Sequence, residues 1–162
     1  MEFVLYGRAK EVFQMLNDID LASRKGEPFI YYEGYRRSAD DSLVIRAVIS
    51  PADVGGMKAA AVSLSNLEPS ESFRLYSHSD TFDWGNLGSG SSQLALALLL
   101  DATGDEKASL KYHQSFNLSF VSLWKSSWRV DSGQIKRWVA LQKNLDYLAE
   151  TIERRMNNGD RS

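Results

Sequence analysis

The apolar run at residues 94–100, made only of leucine and alanine, constrains the fold of this chain more than any other feature. A helix that is apolar on all sides must be buried on all sides. The glycine-rich residues 85–90 precede it, and glycine holds regular structure only at a cost in backbone entropy. We therefore predict a buried central helix over about residues 91–102, with Gly90 as its N-cap and the Gln93 side chain reaching back to the cap amide.

The first half of the chain is rich in strand-forming sequence. Residues 29–35 and 43–49 contain many aromatic and β-branched residues, and the polar residues 36–42 separate them. This pattern predicts a hairpin with a longer loop, and Ser50-Pro51 and Gly55-Gly56 mark the end of its second strand. Two further segments are assigned from composition: residues 57–64 as a strand or a short helix, and residues 73–76 as a short strand.

The second half is predicted to be mainly helical. Gly104 is expected to end the buried helix, and Asp105 to cap the next one. Asp131 and Gln134 form a capping pair before a long final helix, and residues 127–130 before it are a short strand or an extended link. Both later helices carry apolar stripes: Ala108, Tyr112, Phe116, Phe120 and Trp124 on the first, and Ile135, Trp138, Val139, Leu145, Leu148, Ala149, Ile152 and Met156 on the second.

These elements predict an α+β fold. A small antiparallel sheet packs around the buried apolar helix, with two further C-terminal helices and an N-terminal helix. The 162 residues suit a single domain. We divide it into a helical extension at residues 1–28, a core at residues 29–140, and the end of the C-terminal helix with a frayed tail at residues 141–162.

Composition excludes several classes of function. The chain has no cysteine, which removes disulfides, thiolate nucleophiles and cysteine-ligated metal sites. Its formal net charge of −2 gives no broad attraction to nucleic acid or to anionic lipid. The apolar run is far shorter than the ~20 residues that cross a bilayer. We expect a cytoplasmic protein without membrane association, for which nucleic acid is a disfavoured partner.

The glycine-rich turn is the first candidate site, because free amides at a helix N-terminus attract anions. The turn lacks the Gly-Lys-Ser/Thr ending of a nucleotide-binding loop, so a structural role for its glycines is favoured over ligand binding. The two histidines, His78 and His113, lie far apart in sequence and predict no metal site. No cofactor is expected. The candidate ligand or anion-binding residues are Gly88, Ser89, Gly90, Ser91, Ser92, His78 and Asp80.

A second candidate is an interaction surface on the first strand and at the turn. Aromatic and positively charged residues alternate there, as they do in many protein interfaces and some nucleic-acid sites. The alternative is a strand with one face buried in the core. The candidate residues are Tyr32, Tyr35, Arg36, Arg37, Asp83 and Trp84.

Several short segments share a pattern: Phe82-Asp83-Trp84-Gly85, Gly88-Ser89-Gly90, Gln93-Leu94-Ala95-Leu96-Ala97-Leu98-Leu99, Asp101 and Gly104-Asp105. They resemble a domain family of unknown function found in phages, plasmids, archaea and bacteria. Its signature is aromatic-Glu-Trp-Gly-x-x-Gly-Ser-Gly-x-x-Gln-Leu-Ala-Leu-Ala-Leu-Leu. Tyr32-Glu33-Gly34-Tyr35-Arg36 resembles the opening Tyr-x-Gly-x-Arg strand of that family. The chain departs from the pattern at Asp83, at Asn86-Leu87 and at Ser91, where the family usually has glutamate, Tyr-Gly and proline.

The resemblance implies a phage or plasmid setting and brings no established activity. The leading hypothesis is a non-enzymatic binding protein that acts through contacts with a protein partner, such as a host defence protein that it inhibits. Self-association is left open. The alternative is a protein or enzyme that binds a small anion or a nucleotide at the glycine-rich turn.

Overall fold

The structure is a computed structural model that describes residues 28–38, 41–54 and 57–159, with the side chains of Arg37, Asp41, residues 51–54, 57–60 and 158–159 left aside. The predicted N-terminal helix lies outside the described residues. The strands are β1 (Phe29–Ser38), β2 (Asp41–Val54), β3 (Met57–Asn66) and β4 (Ser127–Asp131). The helices are α1 (Ser89–Thr103), α2 (Glu106–Ser119) and α3 (Ser132–Gly159), with 3₁₀ turns at Pro69–Ser72 and Val121–Leu123.

The chain divides into two compact units. The smaller comprises Met1–Phe29 and Ile49–Val62, and its described part is mainly the turn-side ends of β2 and β3. The larger comprises Ile30–Val48 and Ser63–Ser162 and holds all three described helices. Every candidate residue named above lies in the larger unit.

The strands form one antiparallel sheet in the order β3-β2-β1-β4. β1 pairs with β4 so that Tyr31 faces Asp131 and Gly34 faces Trp128. A Cβ on Gly34 would lie 2.1 Å from the indole nitrogen of Trp128. Glycine is therefore required at this position of β1, because the Trp128 ring lies directly over its Cα. The α+β prediction is confirmed.

Two of the strand predictions need correction. β2 is longer than the predicted residues 43–49: it begins at Asp41 and passes through Ser50 and Pro51 to Val54, the residue before Gly55-Gly56, because proline fits an extended backbone and lacks only the amide donor. The strand predicted at residues 73–76 is a turn that follows the Pro69–Ser72 3₁₀ turn. The Pro69–Ser72 3₁₀ turn begins with a capping box, in which the Glu68 amide donates to Glu71 Oε1 at 2.8 Å.

Helix α1 is enclosed on all sides, as predicted. Its residues from Gly90 to Leu100 are buried, and so is Ala102. It packs in one apolar cluster with the aromatic side chains of both halves of the chain, including Tyr32, Trp84, Phe116 and Trp128. The helix starts earlier than predicted, with Gly88 rather than Gly90 as its N-cap.

The predicted helix ends are partly confirmed. Gly104 ends α1 with a left-handed backbone at φ 65°, and Asp105 Oδ1 accepts the Ala108 amide at 2.9 Å as the cap of α2. Asp131 and Gln134 exchange side-chain and backbone hydrogen bonds ahead of α3. Helix α2 ends at Ser119, however, so Trp124 does not continue its stripe. No helix among the described residues has both the length and the apolar character to cross a bilayer.

Candidate functional site

The polar groups at the start of α1 are hydrogen-bonded by the side chain of Asn86. Asn86 Oδ1 accepts hydrogen bonds from the Gly88 amide at 2.7 Å and the Ser91 hydroxyl at 3.1 Å. The other end of the Asn86 amide donates to Asp83 Oδ2 at 2.6 Å. The Gly88 amide, one of the donors predicted to hold an anion, is therefore already bonded within the protein.

The other predicted ligand residues of the turn serve packing as well. Gly90 is buried, and a Cβ there would lie 2.8 Å from the Asp83 Cβ. The Ser92 hydroxyl donates to Gln114 Oε1 and accepts from Asn117 Nδ2, both at 3.2 Å. Gln93, predicted to reach back to the helix cap, does not do so and instead bonds the segment at residues 72–79. Ser89 is exposed on the first turn.

The predicted interaction residues differ in exposure: Tyr32 and Trp84 are buried, Tyr35 and Asp83 are half-buried, and Arg36 is exposed. Tyr32 and Trp84 are 0% and 1% exposed, so neither presents a side chain to a partner. Arg36 donates to the Trp84 carbonyl oxygen at 2.5 Å, and its guanidinium lies 4.6 Å from the centroid of the Trp84 ring. Tyr35 is half-buried and donates to Glu33 Oε2. The Arg37 side chain lies outside the described part.

Arg36 and Asp83 form an ion pair at 2.6 Å that joins β1 to the turn before α1. Partial burial disfavours the Asp83 carboxylate, but hydrogen bonds from Asn86, the Trp84 amide and Arg36 outweigh it and lower the pKa of Asp83. The residues that carry the family resemblance on β1 thus bind to those at the turn.

A second polar link runs from β1 to the end of α1. The Tyr32 hydroxyl donates to Asp101 Oδ2 at 2.7 Å, and Arg46 binds the other oxygen of Asp101. Arg46 also contacts Glu71 at 3.2 Å. Burial, and then the Asp101 carboxylate, raise the pKa of Tyr32. Beside these groups lies a polar cavity of about 230 Å³, lined by Leu67, Glu71, Ser72, Arg74, Ala97, Leu100, Asp101 and Gly104.

The structure brings the two histidines together, which sequence reasoning missed. His78 Nε2 and His113 Nε2 are 2.9 Å apart, although 35 positions separate the residues. Burial, and then the neighbouring His113, lower the pKa of His78. Asp80 is exposed, and among the described residues it makes no hydrogen bond to His78. The sequence signal for this pair was Gln93, a polar residue in an apolar helix, because its side chain holds the His78 backbone.

One face of α3, which we call the α3 face, carries a row of exposed apolar side chains. Its members recur at spacings of four, three, four and four, which places them along one side of a helix. Their exposure rises from about half, at 51% for Leu145, to 70% for Met156. The α3 face consists of Leu141, Leu145, Leu148, Ile152 and Met156. The predicted stripe therefore faces the core only at its start, where Ile135 and Val139 are buried and the half-buried Trp138 packs against the core.

Comparison with known proteins adds a family to this geometry. A family model described as "Family of unknown function (DUF6166)" matches residues 54–141, more than half of the chain. The chain belongs to this family. No curated protein and no solved structure gave a match.

The DUF6166 match contains one partner of each polar link described above. Asp83, Asp101 and both histidines lie inside the matched residues, whereas Tyr32, Arg36 and Arg46 precede them. The segment at residues 30–46, which precedes the matched region, therefore supplies the second partner of these hydrogen bonds and ion pairs. Most of the α3 face, from Leu145 onward, follows the DUF6166 match.

Proposed function

We propose that this chain is a non-enzymatic protein-binding domain whose α3 face packs against an amphipathic helix of a partner protein. The observation that supports it is the α3 face itself, where five large apolar side chains are each at least half exposed. Contiguous apolar surface of this kind is costly to leave in water and is typical of protein contact sites.

The shape of the α3 face indicates what its partner presents. It runs from Leu141 to Met156, which is about 22 Å along a helix at 1.5 Å per residue. A narrow seam with spacings of three and four residues is the pattern that a second helix fills by knobs-into-holes packing. A helix is therefore a better fit than a strand or a loop.

The residues that flank the seam indicate the charge of the partner. Between Leu141 and Ile152 the flanking positions are Gln142, Asn144, Ala149 and Thr151, none of which is charged. Two charged residues in this stretch pair away from the seam: Lys143 binds Asp105 at 2.6 Å, and Asp146 binds Lys111 at 2.6 Å. A partner helix with an apolar seam and uncharged flanks would bury no unpaired charge here.

The biological setting that we propose rests on the resemblance alone. A phage or plasmid accessory protein that inhibits a host defence protein by direct contact would need a surface of this kind and no catalytic residues. Binding of a small anion or nucleotide at the glycine-rich turn has less support, because Asn86 already bonds the Gly88 amide and the Ser91 hydroxyl.

A site-specific photo-crosslinker tests the proposal. Benzoylphenylalanine replaces Leu148 in one variant and Tyr147 in the other. Both side chains are exposed, at 54% and 68%, but at 100° per residue Tyr147 points about 140° away from the axis of the α3 face. We expect the Leu148 variant, and not the Tyr147 variant, to crosslink a partner protein at a mapped apolar helix. Equal crosslinking from both positions, or crosslinks only between copies of this chain, would overturn it.

A further inference from the structure

We propose that His78 and His113 form a binding site for a divalent transition-metal ion such as Zn²⁺, with the Nε2 atom of each imidazole as a ligand. This inference is independent of the α3 face. It concerns a different part of the larger unit, where the segment before α1 meets α2. Among the described residues no group of three or more histidine, cysteine or acidic side chains could hold a metal, so the site depends on this pair with weaker oxygen ligands.

The separation of the two nitrogens suits a shared ion. Zinc–imidazole bonds of about 2.0–2.1 Å at a tetrahedral angle place two ligand nitrogens about 3.3 Å apart. The observed distance between His78 Nε2 and His113 Nε2 is 2.9 Å. Opening the pair by a few tenths of an ångström is therefore enough to admit the ion.

The hydrogen bond at the far side of the His113 ring favours ligation. Nδ1 of His113 lies 2.9 Å from the carbonyl oxygen of Leu110, which accepts only a protonated nitrogen. With the proton on Nδ1, the lone pair of the neutral ring is on Nε2, facing His78. Metal-binding histidines are oriented by this same kind of bond from the second ring nitrogen.

The other histidine is held in place through its backbone. Gln93 Oε1 accepts the amides of His78 and Ser79, at 2.6 and 3.3 Å. The Gln93 Nε2 donates to Ser72 Oγ at 2.7 Å, and Gln93 itself is fully buried in α1. A buried side chain thus fixes the segment that carries His78, which positions the ligand before any ion arrives.

Room for further ligands exists on the solvent side. His78 is only partly buried, and the exposed Gln114 places its amide nitrogen 3.2 Å from His113 Nε2. A turn of the Gln114 amide would direct its oxygen toward the ion, and water would complete the coordination. A site of this composition has a hard oxygen ligand and two imidazoles, which suits Zn²⁺ rather than Mg²⁺.

Calorimetric titration of the chain with zinc chloride tests the site. We expect one ion per chain, no binding of Mg²⁺, and affinity lower by about tenfold or more in His78→Asn and in His113→Asn, because each loses one of two imidazoles. Asp80→Asn is the matched control: it removes an exposed carboxylate two positions from His78 and should bind zinc as the unmodified chain does.

A second measurement does not depend on the folding of any variant. In the unmodified chain, zinc should shift the imidazole ¹⁵N resonances of both histidines together, saturating at one equivalent. Zinc affinity unchanged in both histidine variants, or imidazole resonances unmoved at saturating zinc, would show adventitious binding to surface groups and overturn the site. An absence of zinc binding up to millimolar concentration would overturn it equally.

Discussion

Gln93 Oε1 accepts the backbone amide of His78 at 2.6 Å, although Gln93 lies on the one helix of this fold that is buried on every side. Its amide group also bonds the Ser79 amide, the Ser72 hydroxyl and the Tyr76 carbonyl oxygen. A buried amide is tolerated when its hydrogen bonds are satisfied, and here they tie the segment before the glycine-rich turn to the core. The polar residue at the start of the apolar helix is thus a structural anchor.

Replacement of Gln93 by leucine tests this anchor. Gln93→Leu keeps the approximate size of the side chain but leaves the His78 and Ser79 amides without their acceptor, while the Ser72 hydroxyl keeps its bond to the Pro69 carbonyl oxygen. Since each buried polar group left unsatisfied costs about 1–3 kcal/mol, we expect the free energy of unfolding to fall by roughly 2–4 kcal/mol.

Urea denaturation measures that loss. Gln142→Leu is the control, because the half-buried Gln142 makes no hydrogen bond among the described residues, and its replacement should change stability by no more than about 0.5 kcal/mol. If Gln93→Leu were as stable as the unmodified chain, the hydrogen bonds of Gln93 would not hold the segment at residues 72–79.

Gly34 is predicted to be irreplaceable on β1. In Gly34→Ala the new Cβ would lie 2.1 Å from Trp128 Nε1, a distance at which the ring must move. Trp128 stacks on Trp124 with ring centroids 4.1 Å apart and meets Trp84 edge to face, so its movement disturbs all three rings. We expect a loss of about 3 kcal/mol or more and a changed near-ultraviolet circular dichroism spectrum.

The control for Gly34 is Gly104, where a Cβ would meet open space. Gly104→Ala is strained only by the left-handed backbone at φ 65°, so it should cost about 1 kcal/mol and leave the tryptophan spectrum unchanged. Equal losses in the two variants would mean that backbone freedom, and not the Trp128 ring, requires glycine at position 34.

The ion pair of Asp83 with Arg36 predicts a pH dependence of stability. The pKa of Asp83 is lower in the folded chain than its ordinary value of 3.8. A carboxyl group whose folded pKa is lowered stabilises the protein above the unfolded pKa, and this contribution is lost as the pH falls through the folded pKa. We expect the free energy of unfolding to decrease below about pH 4 and to decrease less steeply in Asp83→Asn.

Chemical denaturation between pH 2.5 and pH 7, values chosen to bracket that transition at roughly pH 4, measures this slope. Asp80→Asn is the control, since Asp80 is exposed and lies outside the ion pair. A slope in Asp83→Asn identical to that of the unmodified chain would show that the pair with Arg36 does not stabilise the carboxylate.

The sequence predicted the elements whose signals are local. An apolar run without a polar side predicts burial, and the cap residues Gly104, Asp105 and Asp131 predict helix ends from backbone chemistry that depends on near neighbours. The candidate sites depended on distant contacts, which a single sequence does not give. The sequence left Tyr32 and Arg36 either on an interaction surface or on a strand with one face in the core, because their partners Asp101 and Asp83 lie 69 and 47 positions further along the chain.

The histidine pair shows the same limit. His78 and His113 each looked isolated, because the contact between them exists only when α2 packs beside the segment that Gln93 holds. The α3 face shows the opposite error. A continuous apolar stripe predicted one buried side of the helix. In the structure the buried part of the stripe ends at Val139, and Leu145 and the later members face solvent.

Stability should therefore differ sharply between the two sets of apolar residues on α3. Val139→Ala removes two methyl groups from a side chain that is 4% exposed, and we expect it to cost about 2 kcal/mol through lost burial and a residual cavity. Leu148→Ala removes more apolar volume from a side chain that is 54% exposed, and should change the free energy of unfolding of the isolated chain by only about 0.5 kcal/mol.

Binding should show the reverse order. When a partner helix covers the α3 face, Leu148→Ala loses the burial that the complex provides, whereas Val139→Ala leaves the contact surface intact. Urea denaturation gives the free energy of unfolding of each isolated variant. Titration with the partner identified by crosslinking gives the affinity of each variant for that partner. A large loss of stability in isolated Leu148→Ala would mean that this chain already covers the α3 face, which would remove the surface on which partner binding depends.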